Sequence, residues 1–309
     1  MSLKHVSVLL NEVIDALNLK EDGVYVDATL GYGGHSEKIL KKVKRGYLYS
    51  FDQDKEAIIY SKERLSKVGN NFLIFKDNFV NLKKRLNEKD INKVDGIIFD
   101  LGVSSPQLDD ESRGFSYHKD AKLDMRMNQE QELSAYQVVN TYSYEKLVDI
   151  FYRYGEEKYA KNIAKNIVSI REERPITTTL ELVDIIRSSI PEKARRDKHP
   201  AKKVFQAIRI EVNDELNVLD KAIDDAISML KVNGVLVVIT FHSLEDAIVK
   251  NKFKKYTKLD SNLNNLPYIP SDLEPKYKLG KKVLPSNKEI ENNNRAHSAT
   301  LRSIIRIKE

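Results

Sequence analysis

The 309-residue chain has a net charge of +6, with 32% charged and 41% hydrophobic residues, which is typical of a globular protein with a well-solvated surface. It contains no cysteine, which excludes disulfides, thiolate catalysis and cysteine-ligated metals, and its six histidines show no metal-ligand spacing. No apolar run approaches the roughly 20 residues of a membrane span and no signal peptide is recognisable, so we expect a cytoplasmic protein without a metal or a membrane partner.

Apolar runs and helical patterns alternate over the first hundred residues. The segment 5–17 is predicted to start extended and become helical. Four short apolar runs that follow are predicted strands, at residues 24–26, 47–51, 72–75 and 94–99. The stretches between them have helical periodicity, with Ser36 and Asp54 as predicted N-caps and Gly46 as the end of the first of these helices. This alternation predicts a parallel sheet in an α/β fold.

The pattern changes after Asp100. Residues 101–124 are rich in turn formers, and residues 134–190 show only helical periodicity. Within the helical stretch, Thr178 and Glu181 have the spacing of a capping box that opens a helix. We therefore predict an all-helical insertion into the sheet-forming part of the chain.

Sheet character returns near the C-terminus. An amphipathic helix is predicted over 212–230, ended by Asn233-Gly234. Two more strands are predicted, at 235–241, which is fully apolar and therefore central, and at 299–306. Residues 258–295 are predicted to form an irregular loop in which 289–294 is the segment most prone to disorder.

A glycine-rich stretch, Asp27–His35, joins the first predicted strand to the next helix. Its three closely spaced glycines are Gly31, Gly33 and Gly34. Glycines permit tight turns and close approach of a ligand, and a helix N-terminus offers free N–H groups. Asp52 ends the second strand, where dinucleotide sites place a ribose-binding acid, although a helix-capping role is the alternative. The glycine spacing is tighter than G-x-G-x-x-G and His35 is adjacent, which favours a cofactor without phosphates, such as S-adenosylmethionine, over NAD.

Other candidate site residues follow later strands. Phe79 follows the third strand, where it could cover an adenine or belong to the core. Asp100 ends the fourth strand, at the edge where open α/β sheets bind ligands, and could anchor a cofactor's ammonium group, accept a hydrogen bond from a substrate amine or cap a turn. His242 follows the strand at 235–241 and is predicted to contact substrate, while Ser243 and Asp246 have the spacing of a capping box.

Two basic segments could bind a polyanion. They span residues 193–203 and 250–258, and each could neutralise phosphates or simply form a solvated face. The absence of cysteine also limits the chemistry, because methylation at a carbon of cytosine or uracil normally proceeds through a cysteine adduct. Methylation of an exocyclic amine or a hydroxyl needs only positioning of the acceptor.

Several long blocks of the sequence resemble the bacterial 16S ribosomal RNA cytosine-N4 methyltransferases, the H-type small-subunit methyltransferases of the MraW family. The resemblance runs nearly end to end. The matching blocks are His5–Glu12, Asp27–Ser36, Asp100–Asp109, Arg113–Phe115, Leu123–Met127, Phe205–Leu216, Phe241–Asp246 and Ser298–Arg302.

The resemblance implies a class I S-adenosylmethionine-dependent methyltransferase (Rossmann-like) sheet with an inserted all-helical domain. We expect the core at 1–109 and 206–309 and the insertion at 110–205. The residues implied to bind S-adenosylmethionine are Gly33, Gly34, His35, Asp52, Phe79, Asp100 and Gln107. Asp100 is also the expected catalytic residue.

The implied reaction is methyl transfer to N4 of a cytidine in the decoding region of 16S rRNA, within the small ribosomal subunit, by a monomer or homodimer. Many base-amine methyltransferases carry an Asp-Pro-Pro-Tyr box after strand four, whereas Asp100 is followed here by Leu-Gly-Val-Ser-Ser-Pro, so Phe115 or Tyr117 is the expected replacement for the stacking aromatic. The residues expected to contact substrate are Ser104, Ser105, Arg113, Phe115 and His242.

Two other functions remain open from the sequence. An NAD-dependent oxidoreductase would need a phosphate-binding turn. A non-catalytic RNA-binding ribosome-assembly factor would use the basic segments without methyl transfer, but the glycine turn, Asp52 and Asp100 argue against it.

Overall fold

A computed structural model of the chain describes residues 7–195, 199–259, 270 and 273–309, apart from the side chains of Ser105, Ala194 and Arg195. The chain divides into two compact units. The first comprises the described residues of Met1–Gly102 and Leu216–Glu309, and the second is Val103–Glu215.

The first unit contains a seven-stranded sheet with the order β3-β2-β1-β4-β5-β7-β6. Its strands are β1 (Val24–Asp27), β2 (Tyr47–Asp52), β3 (Phe72–Lys76), β4 (Val94–Asp100), β5 (Leu230–Thr240), β6 (Tyr277–Leu279) and β7 (Thr300–Arg306). Strands β1 to β5 are parallel, and β7 runs antiparallel between β5 and β6. This is the class I methyltransferase sheet expected from the resemblance. The strand order reverses between β1 and β4, and open α/β sheets bind ligands outside the carboxyl ends of strands at such a point.

Helices precede, connect and follow these strands. In chain order, the described α-helices are α1 (Leu10–Leu17), α2 (Gly34–Lys42), α3 (Lys55–Ser66), α4 (Leu82–Asn87), α5 (Ser105–Asp109), α6 (Ala135–Thr141), α7 (Tyr144–Arg153), α8 (Ala160–Glu173), α9 (Thr179–Ser189), α10 (Lys202–Asn213), α11 (Glu215–Ser228), α12 (Ser243–Thr257) and α13 (Asn287–Asn292). None of these helices is long and apolar enough to cross a membrane.

Strand β5 shows why the sheet has two hydrophobic layers. Leu236 and Val238 belong to one buried cluster, whereas Val235, Val237 and Ile239 belong to another. Since successive strand side chains point to opposite faces, an uninterrupted apolar strand requires cover on both faces. The prediction of a central strand from the apolar run 235–241 is therefore confirmed.

The second unit has its own hydrophobic core. Its described α-helices are α5 to α10, and an isolated bridge pairs Lys122 with Thr178. Helices α6 to α10 each contribute residues to one buried cluster. The predicted capping box that opens α9 is present, with Thr178 and Glu181 exchanging side-chain to backbone hydrogen bonds.

The unit boundaries differ from those expected from the sequence. The second unit begins at Val103 and ends at Glu215, rather than spanning 110–205. A boundary at 205 would cut α10, which is continuous over Lys202–Asn213 and buries its apolar face in the second unit's core. Helix α5 likewise belongs to the second unit because it packs on the 3-10 turn Glu111–Arg113.

The amphipathic helix predicted over 212–230 is present as α11, but it spans only Glu215–Ser228, and its predicted bounds are wrong. Asp214 adopts a left-handed conformation with φ 50° and separates α10 from α11. Asn233 and Gly234 lie inside β5, where the pairing register with β4 shifts, and do not end a helix. The left-handed φ of 66° at Asn233 suits this irregularity, because asparagine tolerates that conformation better than most residues.

The loop predicted over 258–295 contains regular structure in its described part. It includes the edge strand β6 and the helix α13, and residues 260–269 and 271–272 lie outside the described chain. The expectation of disorder at 289–294 is wrong, since Glu289 belongs to α13 and its Oε1 accepts a hydrogen bond of 2.6 Å from the backbone N–H of Leu9.

Candidate active site

Three carboxylates end three adjacent parallel strands of the first unit. Asp27 ends β1, Asp52 ends β2 and Asp100 ends β4. Because β1 pairs with both β2 and β4, the three side chains share the carboxyl edge of the sheet. Within hydrogen-bonding and ion-pairing distance of them the described residues place no lysine or arginine. The edge is therefore a concentration of acidic groups to which the described residues bring no lysine or arginine.

Asp52 fastens the glycine turn to β2. Its Oδ2 accepts a hydrogen bond of 2.7 Å from the N–H of Gly31, and its Oδ1 accepts one of 2.8 Å from the N–H of Asp54. The capping alternative for Asp52 is not what the structure shows, since Asp54, as predicted, caps α3 by accepting from the N–H of Glu56. Burial raises the pKa of Asp52 to about 7. A carboxylate in this position can still accept hydrogen bonds from ligand hydroxyls, because each oxygen has a second lone pair.

Asp27 is more deeply buried and is held by the helix that follows it. Its Oδ2 accepts a 2.7 Å hydrogen bond from the Ser36 hydroxyl, and its Oδ1 accepts from the N–H of Thr29 at 3.1 Å. Burial raises the pKa of Asp27 to about 6. The prediction that Ser36 caps α2 is wrong. The helix begins at Gly34 with Gly33 at the N-cap, because Gly33 adopts φ 75° and starts the helical turn earlier.

The glycines of the turn have distinct roles. A Cβ on Gly34 would lie 1.9 Å from the Ser7 hydroxyl, and one on Gly33 would lie 3.1 Å from the Ser61 hydroxyl, so both positions are closed by protein packing. The space beside Gly31 is open, since a Cβ there would have its nearest neighbour, the Thr29 carbonyl, at 3.9 Å. The open approach for a ligand is thus at Gly31, which the predicted site omits, and Gly33 and Gly34 shape the turn.

Asp100 has one carboxyl oxygen without a hydrogen-bond partner among the described residues. That oxygen, Oδ1, is buried, while Oδ2 lies 3.6 Å from Nδ1 of His35. The Asp100 backbone N–H donates to Oγ1 of Thr29 at 2.6 Å, which fixes the end of β4 against β1. Burial, followed by the charges of Asp27 and Glu245, raises the pKa of Asp100 to about 8.

His35 is buried and bridges the glycine turn and the N-terminal segment. Its Nε2 lies 3.1 Å from the carbonyl oxygen of Val8, so this nitrogen is the protonated donor. Its Nδ1 faces Asp100. The structure thus brings the predicted residues His35, Asp52 and Asp100 to one edge of one unit.

Phe79 opens a 3-10 turn, Phe79–Asn81, directly after β3. Its ring meets Phe99 edge to face, with centroids 5.2 Å apart, and is half-buried against the core. One part of the ring therefore packs in the core. Contact of the exposed part with an adenine stays a prediction.

His242 caps α12, and the capping box predicted for Ser243 and Asp246 is wrong. The N–H of Glu245 donates to Nδ1 of His242 at 3.4 Å, and Oε2 of Glu245 accepts from the N–H of His242 at 3.3 Å. The sequence pattern was misjudged because an imidazole nitrogen replaces the usual hydroxyl or carboxylate as the cap acceptor. Asp246 is instead bound to Arg302 through two hydrogen bonds of 2.7 and 2.9 Å. Substrate contact by His242 stays a prediction.

Three predicted residues lie together at the start of the second unit. Ser104 caps α5, and Gln107 completes the capping box by accepting from the N–H of Ser104 at 2.9 Å. Gln107 is buried in the second unit, where this capping contact gives it a structural role. The side chain of Ser105 lies outside the described part of the chain.

Arg113 and Phe115 are inside the second unit rather than on its surface. Arg113 is 2% exposed and donates to the carbonyl oxygen of Arg126 at 3.0 Å. Phe115 is 5% exposed and belongs to the hydrophobic core. This burial contradicts direct substrate contacts by both residues. Tyr117, the other candidate for stacking, is half-buried and its ring lies stacked on His199 with centroids 4.4 Å apart.

Glu245 is a buried acid at the same sheet edge that the sequence prediction missed as a site residue. Its Oε2 also accepts from the N–H of Phe241 at 2.8 Å, and its charge contributes to the raised pKa of Asp100. The signal was available, since Glu245 lies in the block Phe241–Asp246 directly after a predicted central strand, but the predicted site does not include it. Asp27 was missed for a similar reason, since it was treated only as the start of the glycine stretch.

These contacts define what the edge can do. Removing three carboxylates from water without a positive partner favours their protonated forms, and a ligand that brings positive charge would restore the charged forms. The open space beside Gly31 and the unpartnered oxygen of Asp100 offer room and an acceptor for such a ligand. The site is therefore suited to a cationic molecule with hydroxyl or amine donors.

The sequence compares closely with known proteins. Residues 2–307 match the MraW methylase family. The "Ribosomal RNA small subunit methyltransferase H" of Limosilactobacillus fermentum is 54% identical over 309 aligned residues, which cover 98% of each chain. The protein of the same description from Streptococcus mutans serotype c is 54% identical over 311 aligned residues, again with 98% of each chain covered. A family match over nearly the whole chain, joined to the class I sheet and its acidic edge, shows that the chain belongs to the MraW methylase family.

Proposed function

We propose that this protein is an S-adenosylmethionine-dependent methyltransferase that modifies the N4 amine of a cytidine in the decoding region of 16S rRNA. The observation that carries the proposal is the edge formed by Asp27, Asp52 and Asp100, three carboxyl groups with raised pKa values to which no lysine or arginine of the described residues is bound. S-adenosylmethionine has a sulfonium, an ammonium and a ribose diol, which are the groups that such an edge accepts. Membership of a methylase family and the descriptions of both relatives support the same reaction.

The site residues have separable roles in binding this cofactor. Asp52 is placed to accept hydrogen bonds from ribose hydroxyls, since it ends β2 and is oriented by two backbone N–H groups. Gly31 leaves open the space beside that carboxylate. The exposed part of the Phe79 ring can lie against the adenine. When bound, S-adenosylmethionine supplies an electrophilic methyl group on a positively charged sulfur.

Asp100 is the residue that we propose acts on the substrate amine. Its unpartnered Oδ1 can accept a hydrogen bond from the N4 amine and so direct the nitrogen lone pair. Methylation of an amine releases a proton, and the carboxylate of Asp100, which the positive charge of the bound cofactor favours over the protonated form, can accept it. The chain has no cysteine, so an adduct to a base carbon is excluded and an amine is the favoured acceptor.

The oxidoreductase alternative is disfavoured by the charge of the edge. The pyrophosphate of NAD carries two negative charges, which would face Asp27, Asp52 and Asp100 without a lysine or arginine bound to these acids in the described chain. A non-catalytic assembly factor would have no use for the unpartnered oxygen of Asp100.

The experiment that tests the proposal uses the full chain, S-adenosylmethionine with a labelled methyl group, and small ribosomal subunits from cells that lack this modification. We expect one labelled N4-methylcytidine in 16S rRNA. Protein-free 16S rRNA in a parallel reaction tests whether the substrate is the assembled subunit, as we propose. Label on a base carbon, or no label despite calorimetrically measured cofactor binding, would overturn the proposal.

A further inference from the structure

We propose that α12 and the segment 281–288, which follows the neighbouring strand β6, form a docking surface for the phosphodiester backbone of RNA. The inference rests on the proposed function, since it assigns the surface that holds the RNA substrate. We call this surface the α12–β6 face. It would position the RNA without reading its bases, because it presents lysines rather than groups suited to base edges.

The elements of the α12–β6 face are neighbours within the first unit. The rings of Tyr256 on α12 and Tyr277 on β6 meet edge to face, with centroids 5.6 Å apart. At the other end of α12, the charge of Lys282 helps to lower the pKa of Asp246, so Lys282 lies close to the first turn of the helix. The strand and the segment after it thus follow α12 along its length.

The α12–β6 face is strongly positive. Its exposed lysines are Lys250, Lys254, Lys255, Lys258, Lys281, Lys282 and Lys288. In the described part of the chain, none of them forms an ion pair. The nearby acids are largely used elsewhere, since Asp246 binds Arg302 and Glu274 binds Lys308.

The lysines of α12 differ in their environments. Lys252 has a structural role, whereas the others are exposed. Lys252 is half-buried and binds Asp220 at 2.9 Å and Asp224 at 2.7 Å, which fastens α12 to α11. Lys250 and Lys254 on α12 and Lys258 at its C-cap are exposed at intervals of four residues, so they form one stripe of about 12 Å along the helix and its end. Like charges at this interval destabilise a helix by roughly 0.2–0.5 kcal/mol per pair. A bound polyanion would turn this repulsion into attraction.

Protection of a sheet edge is the competing explanation for part of the face. β6 is the last strand in the sheet, and lysines on an edge strand discourage pairing with other chains. This accounts for Lys276 and Lys278, but not for the stripe on α12, which has no strand edge to protect. RNA binding explains this stripe together with Lys281 and Lys282, which lie beyond the end of β6.

The α12–β6 face also begins at the candidate active site. Helix α12 starts one residue after His242, at the carboxyl end of β5, and β5 pairs with the strand that ends in Asp100. RNA held along α12 would therefore approach the edge on which the three carboxylates lie.

The other basic segment gives a weaker case. Of the residues in 193–203, Lys203 donates to the carbonyl oxygen of Glu156 at 2.6 Å and serves its own unit. Residues 196–198, which include Arg196 and Lys198, lie outside the described chain.

The test measures the salt dependence of RNA binding. Variant one carries Lys250→Gln, Lys254→Gln and Lys258→Gln, and variant two carries Lys281→Gln, Lys282→Gln and Lys288→Gln. The control carries Lys38→Gln, Lys44→Gln and Lys89→Gln, which removes the same charge from exposed lysines of the first unit that form no ion pair in the described chain. Binding of the full chain to a fluorescent 16S rRNA fragment is measured by anisotropy from 50 to 300 mM salt.

We expect the slope of log K against log salt to fall by about 2 to 3 in magnitude in each test variant, since each lost phosphate contact removes about 0.7 to 0.9. The control should keep the wild-type slope. Equal slopes in all four proteins, or an equal loss in the control, would overturn the proposal. Unchanged calorimetric binding of S-adenosylmethionine shows that each variant is folded.

Methyl transfer distinguishes this inference from the proposed function. In the test variants KM for RNA should rise while kcat at saturating RNA stays near wild type. If the wild-type protein methylates rRNA and the slopes do not change, the docking surface is wrong and the function stands. If the slopes fall but wild type transfers no methyl group, the function is wrong and the RNA surface stands.

Discussion

His35 and Asp100 face each other across the carboxyl edge of the sheet, with Nδ1 of the imidazole 3.6 Å from Oδ2 of the carboxyl group. At that distance the contact is electrostatic rather than a hydrogen bond. The other ring nitrogen lies 3.1 Å from the carbonyl oxygen of Val8, which fixes the ring. The carboxyl group thus has a held imidazole on one side and an unpartnered oxygen, Oδ1, on the other.

Substitution of Asp100 by asparagine tests the role of its charge, because asparagine has nearly the same shape but cannot ionise. Asp100→Asn should reduce methyl transfer by roughly 10²–10⁴-fold, the usual contribution of a positioned proton acceptor, and Asp100→Ala should be at least as impaired. Turnover is measured with labelled cofactor on undermodified small subunits. Asp22→Asn, which removes an exposed carboxylate of the same unit, is the control and should be fully active. Near-normal turnover of Asp100→Asn would exclude the assigned role.

Cofactor binding should depend on pH. With pKa values of about 8 and 7, Asp100 and Asp52 hold protons in the free protein at pH 6 and lose them as the pH rises. A cation favours the carboxylates, so the affinity for S-adenosylmethionine should increase from pH 6 to pH 7.5, with proton release on binding. Calorimetry in buffers of different ionisation enthalpy measures both quantities. S-adenosylhomocysteine lacks the sulfonium charge and should show a shallower dependence; identical profiles would contradict this account.

The same raised pKa predicts a stability effect in the free protein. The unfolded carboxyl group of Asp100 ionises near its ordinary pKa of 3.8, whereas the folded one ionises near 8. The folded state therefore binds more protons between these values, and this group's contribution to stability decreases as the pH rises through that window. Asp100→Asn removes the titration, so its melting temperature relative to wild type should increase from pH 6 to pH 8.5. A constant difference across that range would show that the pKa is not raised.

Asp52 should act through the ribose hydroxyls. Asp52→Asn is expected to weaken S-adenosylmethionine binding about 10-fold or more, because a hydrogen bond to a charged group contributes roughly 1.5–3 kcal/mol. A 2′,3′-dideoxy analogue of the cofactor should bind wild type and Asp52→Asn almost equally. If the substitution weakens both ligands to the same extent, Asp52 supports the glycine turn and does not bind the ribose.

The hydrogen bond between Ser36 and Asp27 should be needed for stability. Ser36→Ala leaves a buried carboxyl oxygen without its 2.7 Å partner, which should cost about 1–3 kcal/mol in the free energy of unfolding. Ser66→Ala removes an exposed hydroxyl at the end of α3 and should change that free energy by less than about 0.5 kcal/mol. Urea denaturation measures the free energy of unfolding of both variants. Equal losses would show that the buried hydrogen bond stabilises the protein no more than the exposed one.

The sequence predicted the sheet well because its strands are apolar runs with defined ends. It also located Asp52 and Asp100, since parallel strands bring their carboxyl ends to one edge. The break at Asp214 could not be predicted from periodicity, because α10 and α11 continue the same apolar pattern across it and the interruption lies in one backbone angle.

The site was less predictable where side chains compete for several roles. Arg113 and Phe115 were expected at the substrate because their block resembles the family. A block can also resemble a family because its residues form the core, as Phe115 does in the second unit. His242 was expected only at the substrate, and its Nδ1 proved to cap a helix. The open approach at Gly31 depends on which neighbours surround each glycine, and sequence spacing does not contain that information.

The position of β7 between β5 and β6 has a consequence for biosynthesis. β4 and β5 are separated in the chain by the whole second unit, and the interior strand β7 is translated after every other strand of the sheet. A nascent chain that has emerged only as far as α13 leaves the backbone edge of β5 unpaired and lacks Leu301 and Ile304, which complete the core. The first unit must therefore complete its fold after residues 300–306 leave the ribosome, and ribosomes stalled just before them would hold an aggregation-prone intermediate.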